Sequence, residues 1–411
     1  MRSIFIFVNI VNYYTLSRLN ILNCMVFYAR IQVLNNKYKG EVLIVSKVLE
    51  HYNFLHNIPE LGMNEVKTAA YLAQQIKEYG YNVETDINGK TGVVGVIDSG
   101  KPGPTLALRG DMDALGHVID GQQCARHTCG HDGHSAMVLA AAQEVVQKGL
   151  LKRGKLKILF QPAEELASGA LSLIRGGAID DVDIVIGAHI QTAANVPTGT
   201  ITPAMYHAAQ NMVVVKFHGV QAHGSRPHLG VNAIEAANMA INAVNAIHID
   251  PNLSYSIKPT RFICDSGAAN SIPAEAVVTW DARAQFNSTM AELLKKAELA
   301  ITNSAAAVGA TVEIDMSLGV PAAEYTADAI EIIKKAIIKT VGESGLYKSI
   351  DLTGGEDFHN FIIAKPTISA GYFGIGCNAL PGLHHPDMKF ETSYLETGKD
   401  VFVNIVMDVL G

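Results

Sequence analysis

Residues 127 to 134, HTCGHDGH, place three histidines, a cysteine and an aspartate in eight positions. Such a set could bind a metal, cycle a thiol or fill a polar turn. A redox role wants two cysteines at close spacing, and Cys124 and Cys129 are too far apart for Cys-x-x-Cys. A structural zinc site wants paired ligands repeated at short spacing, which this chain lacks. A catalytic metal site needs donors brought from several segments, and these exist. Arg109, Asp111 and Asp113 break the apolar run of TLALRGDMDAL. Glu164 and Glu165 follow LKILFQPA, His189 ends DIVIGAH, and His384 and His385 follow TISAGYFGIG. Cys129 and His131 are two apart, a spacing that faces one way only in extended backbone. A turn feeding a helix after Ser135 allows that, and the helix N-terminus favours a thiolate at Cys129. Each residue alone has a plainer use. A histidine after a strand commonly holds a hydrogen bond, an acidic pair can open a helix, and Asp111 and Asp113 could cap or pair. The combination of thiol, imidazole and carboxylate makes metal the leading reading.

These donors need a scaffold that gathers them. The four apolar runs are short and unbroken, the pattern of strands buried on both faces. Helical stretches such as SAMVLAAAQEVVQKG and ASGALSLIRGG lie between them. The expected fold class is therefore α/β, a layered α/β catalytic domain whose ligands gather beyond the strand carboxyl ends. Between residues 206 and 318 the order becomes βαββαβ, the ferredoxin-like unit. We expect a catalytic metal-binding domain built from 41–205 and 319–411, with 206–318 inserted as a lid and dimerisation domain. Residues 1–40 read as an N-terminal extension of uncertain status. They are apolar, but Asn9, Asn12, Ser17, Arg18 and Asn20 interrupt them before a spanning length is reached.

Composition narrows the function. A net charge of −7 offers no basic stripe for a phosphate backbone, so nucleic acid is not an expected partner. Five scattered cysteines argue against a disulfide framework and for a reducing, cytoplasmic setting. No membrane partner is expected.

The motifs HNIPELGMNE, LRGDMDAL, HTCGHDGHSAM, FQPAEE, GAH, GAANSIPAEA, GGEDF and LHHPD occur in this order. Together they resemble the metal-dependent amidohydrolases that include hippurate hydrolases, aminoacylases and indoleacetyl-amino-acid hydrolases, from about residue 45 to the end. The resemblance implies two divalent ions per subunit, zinc first, with manganese or cobalt also suited. It implies Cys129, His131, Glu165, His189 and His384 as ligands, with His385 as the fallback for the last. It makes Glu164 the general base and Asp113 an orienting group behind the ligands. It assigns His223 to a neighbouring subunit's active site, as a group stabilising the oxyanion, and Asn270 and Arg283 to substrate contact. It implies a homodimer through the inserted domain and an N-acyl amino acid or related small amide as substrate. The family often has Pro and a later Glu after DMDAL; this chain reads DMDALGHVIDGQQ, which leaves the acyl and amino acid specificity open. A dipeptidase or aminopeptidase on the same metal pair is the enzymatic alternative, and a metal-stabilised binding protein without turnover the other.

Overall fold

Short apolar runs become parallel strands here because a sheet covered on both faces needs no polar side. The computed structural model describes residues 46–411; the extension expected over 1–40 lies outside them. Two helices come first, α1 (Lys47–His56) and α2 (Val66–Glu78). The central sheet then takes strands β1 (Asn82–Glu84), β2 (Val93–Asp98), β3 (Thr105–Asp111), β4 (Lys155–Gln161), β5 (Ile184–Gln191) and β6 (Ile201–Thr202). Helix α3 (His131–Gln147) joins β3 to β4. A smaller four-stranded sheet follows, with β7 (Ala209–His218), β8 (Tyr255–Ile263), β9 (Glu275–Ala284) and β10 (Thr311–Val320). Its helices are α4 (Ala233–Asn245) and α5 (Asn287–Ala307). Helix α6 (Ala327–Val341), strand β11 (Ser369–Gly376) and helix α7 (Tyr394–Leu410) then return to the central sheet.

The central sheet runs β1-β2-β4-β3-β5-β11-β6. Strands β4, β3, β5 and β11 are neighbours and all parallel. They are the four runs that carry the acids and histidines, so all four carboxyl ends share one edge. Side chains alternate between two apolar layers, as the strand period requires. Leu106, Leu108, Ile158, Phe160, Ile186, Ile190 and Phe373 pack with α3, α6 and α7. Ala107, Leu159, Val185, Ala370 and Tyr372 pack on the other face with Leu173 and Phe361. The smaller sheet is antiparallel, in the order β8-β9-β7-β10. Val213, Val215, Val278 and Trp280 on this sheet meet Ala236, Ala240, Leu293, Ala297 and Ile301 on α4 and α5.

Helix α3 departs from expectation. It starts at His131, four residues before Ser135, so His131 is its first residue and Cys129 precedes it. Apolar periodicity could not show this, because His131, Asp132, His134 and Ser135 are polar yet buried. Gly130 makes the entry. Its φ is 92°, and a Cβ there would sit 2.3 Å from Ile190 Cδ1, so only glycine fits.

Helix α1 carries a pH-sensitive element. His51 is 1% exposed, and its Nδ1 and Nε2 lie 2.8 and 3.0 Å from the hydroxyls of Tyr71 and Tyr79. Burial lowers its pKa to about 4. Above pH 6.5 the ring is neutral folded or unfolded. Between 6.5 and about 4 the unfolded chain takes a proton that the folded chain refuses, so stability falls with pH across that window. The contribution is at most about 3 kcal/mol. Denaturation midpoints between pH 7 and 4 are expected to fall less steeply in His51→Gln than in the parent. Parallel curves would refute the assignment.

Candidate metal centre

Each donor arrives at the shared edge by a local device. Asp111 is the last residue of β3, and Asp113 lies two residues beyond it. Glu164 and Glu165 sit in a single 3-10 turn after β4, bounded by Ala163 and Ala167 at φ 49° and 51°. Left-handed alanine costs on the order of 1 kcal/mol, so something must hold the turn. Glu65, fully buried, accepts the Ala163 N–H through Oε1 at 2.8 Å and bonds Thr91 through Oε2. His189 lies within β5. His384 comes from the loop after β11, with φ 67° and its N–H donating to Thr128 O at 2.7 Å.

All five residues expected as ligands converge. Cys129, His131 and His189 offer donor atoms within 4.8 Å of one another, as do Cys129, Glu165 and His384. Cys129 Sγ is 3.3 Å from His189 Nε2, and His384 Nε2 is 3.3 Å from Glu165 Oε1. Two donors on one tetrahedral zinc stand roughly 3.3–3.6 Å apart, given bonds of about 2.0–2.3 Å. The observed spacings match. His385 instead accepts the Asp387 N–H through Nδ1, which leaves His384 as the histidine beside Glu165.

Hydrogen-bond partners identify which ring nitrogens face the cluster. His131 Nδ1 is 2.9 Å from Asp113 Oδ1 and donates to it, which turns Nε2 toward the cluster. Burial lowers the ring's pKa, but Asp111 and Cys129 raise it well above its ordinary value, so a cation held at Nε2 would displace a proton. His189 Nδ1 donates to Ile190 O at 2.6 Å, which frees its Nε2. His131 Nε2 and Glu165 Oε1 are sealed from solvent and have no hydrogen bond among the described residues. Buried polar atoms normally find a partner, and two unpartnered polar atoms facing a thiol and imidazoles fit a divalent cation. Asp113 serves both neighbours, because its Oδ2 accepts the Glu165 N–H at 3.1 Å. This is the carboxylate–histidine arrangement that orients metal ligands.

The thiol differs from expectation. Burial and the Glu165 carboxylate push Cys129 well above its ordinary pKa. The helix end does not ionise it, whereas a coordinated cation deprotonates a thiol outright.

Glu164 lies beside this set. Its Oε2 is 3.9 Å from His131 Nε2. Burial, then the carboxylates of Glu356, Asp357 and Glu165, push its carboxyl well above the ordinary range. Glu164, Glu165, Cys129, His189 and His384 line a cavity of about 870 Å³. Arg283 lines it too, with three of its five N–H donors engaged. Nε and Nη2 bond Asp281 at 3.0 Å, and Nη1 donates to Thr353 O at 2.9 Å. His223 and Asn270 are exposed and neighbouring, with Gly224 N–H donating to Asn270 O at 2.7 Å. Neither lines the cavity.

Several residues of the centre had no assigned role in the sequence. His134 looks like a ligand by type and is not free to be one. Its Nδ1 donates to Asp111 Oδ1 at 2.7 Å and its Nε2 accepts the Ile190 N–H at 3.0 Å. Asp132 bonds His56 at 2.6 Å. Arg109 spends all five N–H donors beneath the site: on Gln161, Asp111, Tyr372, Glu356 and Asp357, at 2.6 to 3.2 Å. Burial pushes the Glu356 carboxyl up, but the guanidinium wins and holds it at about 2.

With this geometry in place, residues 107–408 match the peptidase family M20/M25/M40. The chain belongs to that family. Among M20 relatives, the hippurate hydrolase of Campylobacter jejuni is 31% identical over 334 residues, covering 76% of this chain and 84% of its own. The crystal structure of an aminohydrolase-like protein from methicillin-resistant Staphylococcus aureus superposes with a TM-score of 0.80 at 28% identity. It covers 89% of this chain and 96% of that one. A dinuclear metal-binding M20 peptidase from Bacillus subtilis, at 24% identity and TM-score 0.71, shares the fold over 88% of this chain and 97% of its own. The M20 assignment makes the protein a metal-binding hydrolase, and its donor cluster could hold a metal ion. Among the described residues no helix is long and apolar enough to cross a membrane.

Proposed function

We propose that the protein is a metal-dependent amidohydrolase that cleaves N-acyl amino acids or related small amides, in the cytoplasm. The observation that supports this best is the pairing of sealed, unpartnered His131 Nε2 and Glu165 Oε1 with an adjacent carboxylate, Glu164, that is not needed as a ligand. Cys129, His131, Glu165, His189 and His384 would hold two divalent ions, zinc being the best match to thiol and imidazole. Bound there, such ions lower the pKa of a water and polarise a carbonyl. Glu164 accepts the proton of the attacking water and returns it to the departing amine nitrogen. Asp113 keeps His131 in the tautomer that exposes Nε2 and fixes the backbone of Glu165. A binding protein without turnover would need the ligands but not Glu164.

The smaller sheet and its two helices read as a ferredoxin-like lid and dimerisation unit, with limits near 206 and 318. Exposed His223 and Asn270 then serve the partner subunit's cavity, His223 donating to the oxygen of the tetrahedral carbon. Mixing His223→Ala with Glu164→Ala protein is expected to restore activity through hybrid dimers; silence after demonstrated subunit exchange would count against it.

The deciding test is a substrate panel on protein loaded with zinc, manganese or cobalt, alongside elemental analysis. Turnover of N-acetyl and N-benzoyl amino acids that stops with chelator is the expected result. Turnover that requires a free α-amine would make the enzyme a dipeptidase or aminopeptidase instead.

A further inference from the structure

Two buried histidines are left unused by the reaction outlined above. His207 lies where the chain passes from the central unit into the smaller sheet: Met205–His207 pairs with Ile350–Leu352, and β7 begins at Ala209. His207 lines the large cavity. Behind it His359 is fully buried, and its Nε2 stands 3.2 Å from His207 Nδ1. Burial keeps both rings neutral at pH 7, His207 being lowered to about 4. One ring must therefore donate to the other. His359 Nδ1 is sealed with no partner among the described residues. If His207 donated, His359 Nδ1 would carry an orphaned buried N–H, the rarer and costlier fault. If His359 donates, only a bare lone pair is buried. The second arrangement leaves the proton of His207 on Nε2, an atom that is not among the sealed polar atoms. Among the described residues the Met205 carbonyl is the one backbone acceptor near the ring, and it makes no full hydrogen bond with it.

Such a donor would add to those on the rest of the wall. Arg283, the cation expected to meet substrate, gives three of its five N–H donors to Asp281 and Thr353, which leaves two. Gln210 pairs across the sheet with Arg283, lines the same cavity, and its side-chain amide makes no hydrogen bond among the described residues. We propose that His207, held in its donor tautomer by His359, forms with Gln210 a subsite for an acceptor oxygen of the substrate outside the scissile amide. That oxygen is a carboxylate or a carbonyl of the amino acid portion. The inference rests on the reading of the cavity as a small-amide site. His207 touches the substrate, and His359 acts through it as a positioning residue.

Three probes separate the sources. N-benzoylglycine offers a carboxylate, N-benzoylglycinamide a carbonyl, and N-ethylbenzamide neither. Binding is read by calorimetry on metal-loaded Glu164→Gln protein, so that nothing turns over. Adding His207→Leu is expected to weaken N-benzoylglycine by about 10-fold or more and the glycinamide by about 3- to 10-fold. N-ethylbenzamide should be unaffected. His207→Gln, which keeps a donor, should recover most of the loss, and His359→Phe should weaken the same two probes. Equal losses on all three, no loss on either acceptor-bearing probe, or no binding to the parent would overturn the subsite. Hydrolysis of N-benzoylglycine by the unmodified enzyme is scored separately. Selective binding without hydrolysis upholds the subsite and removes the amidohydrolase reading; hydrolysis with a flat binding pattern does the reverse.

Discussion

Glu164→Gln is expected to lower amide hydrolysis by about 10²- to 10⁴-fold, the range a positioned proton acceptor supplies, while the bound metal stays unchanged. Glutamine keeps the size of the side chain and cannot take the proton. The expectation follows from how the adjacent acids divide. Glu165 Oε1 is sealed beside His384 and near Cys129, within the ligand set. Glu164 Oε2 is 3.9 Å from His131 Nε2 and lines the cavity. Glu165→Gln should therefore lose metal, and Glu164→Gln should not. Elemental analysis and single-turnover rates on the two proteins settle the division. A Glu164→Gln protein that loses its metal would place that residue among the ligands, and one that keeps full activity would remove the general base.

Arg109→Met is expected to be the most destabilising single change near the site. The guanidinium is wholly buried and ties β3 to β4, to β11 and to residues 356–357. Methionine would fill most of the volume and leave Glu356 and Asp357 as buried acids without a cation, with Asp111 dependent on His134 and His131. Removing one partner of a buried ion pair costs about 3–5 kcal/mol, which for a protein this size is a fall in Tm of about 4–6 °C. Arg109→Lys should recover little, because a single ammonium cannot reproduce five directed donors. Thermal unfolding of the two variants measures this, with metal content as the second readout. A Tm within about 2 °C of the parent would show that the acids find other partners, against the pairing described.

The frame of the site was legible because strands buried on both faces leave an unbroken apolar signature that polar residues end abruptly. That placed Asp111, Glu164, Glu165 and His189 at one sheet edge. The buried polar layer was not legible. Nothing local marks Arg109 as the partner of Glu356, some 247 positions away, or Glu65 as the group that holds Ala163. Helix α3 hid its first turn for a related reason: His131, Asp132 and His134 are buried for their hydrogen bonds and break the apolar period. His134 shows the limit of residue type. Its composition suits a ligand, and only the two bonds it already makes exclude it.

Strand β11 lies inside the central sheet, between β5 and β6, although it is the last strand in the chain. A nascent polypeptide can pair β7 to β10 and pack α4 and α5 from neighbouring sequence, so that portion can mature early. The metal-binding edge has to wait. Its histidine at 384 arrives only after β11 has slotted between strands made long before, and such distant pairings are slow to form. Until then the sheet has an open seam, where misassembly is most costly.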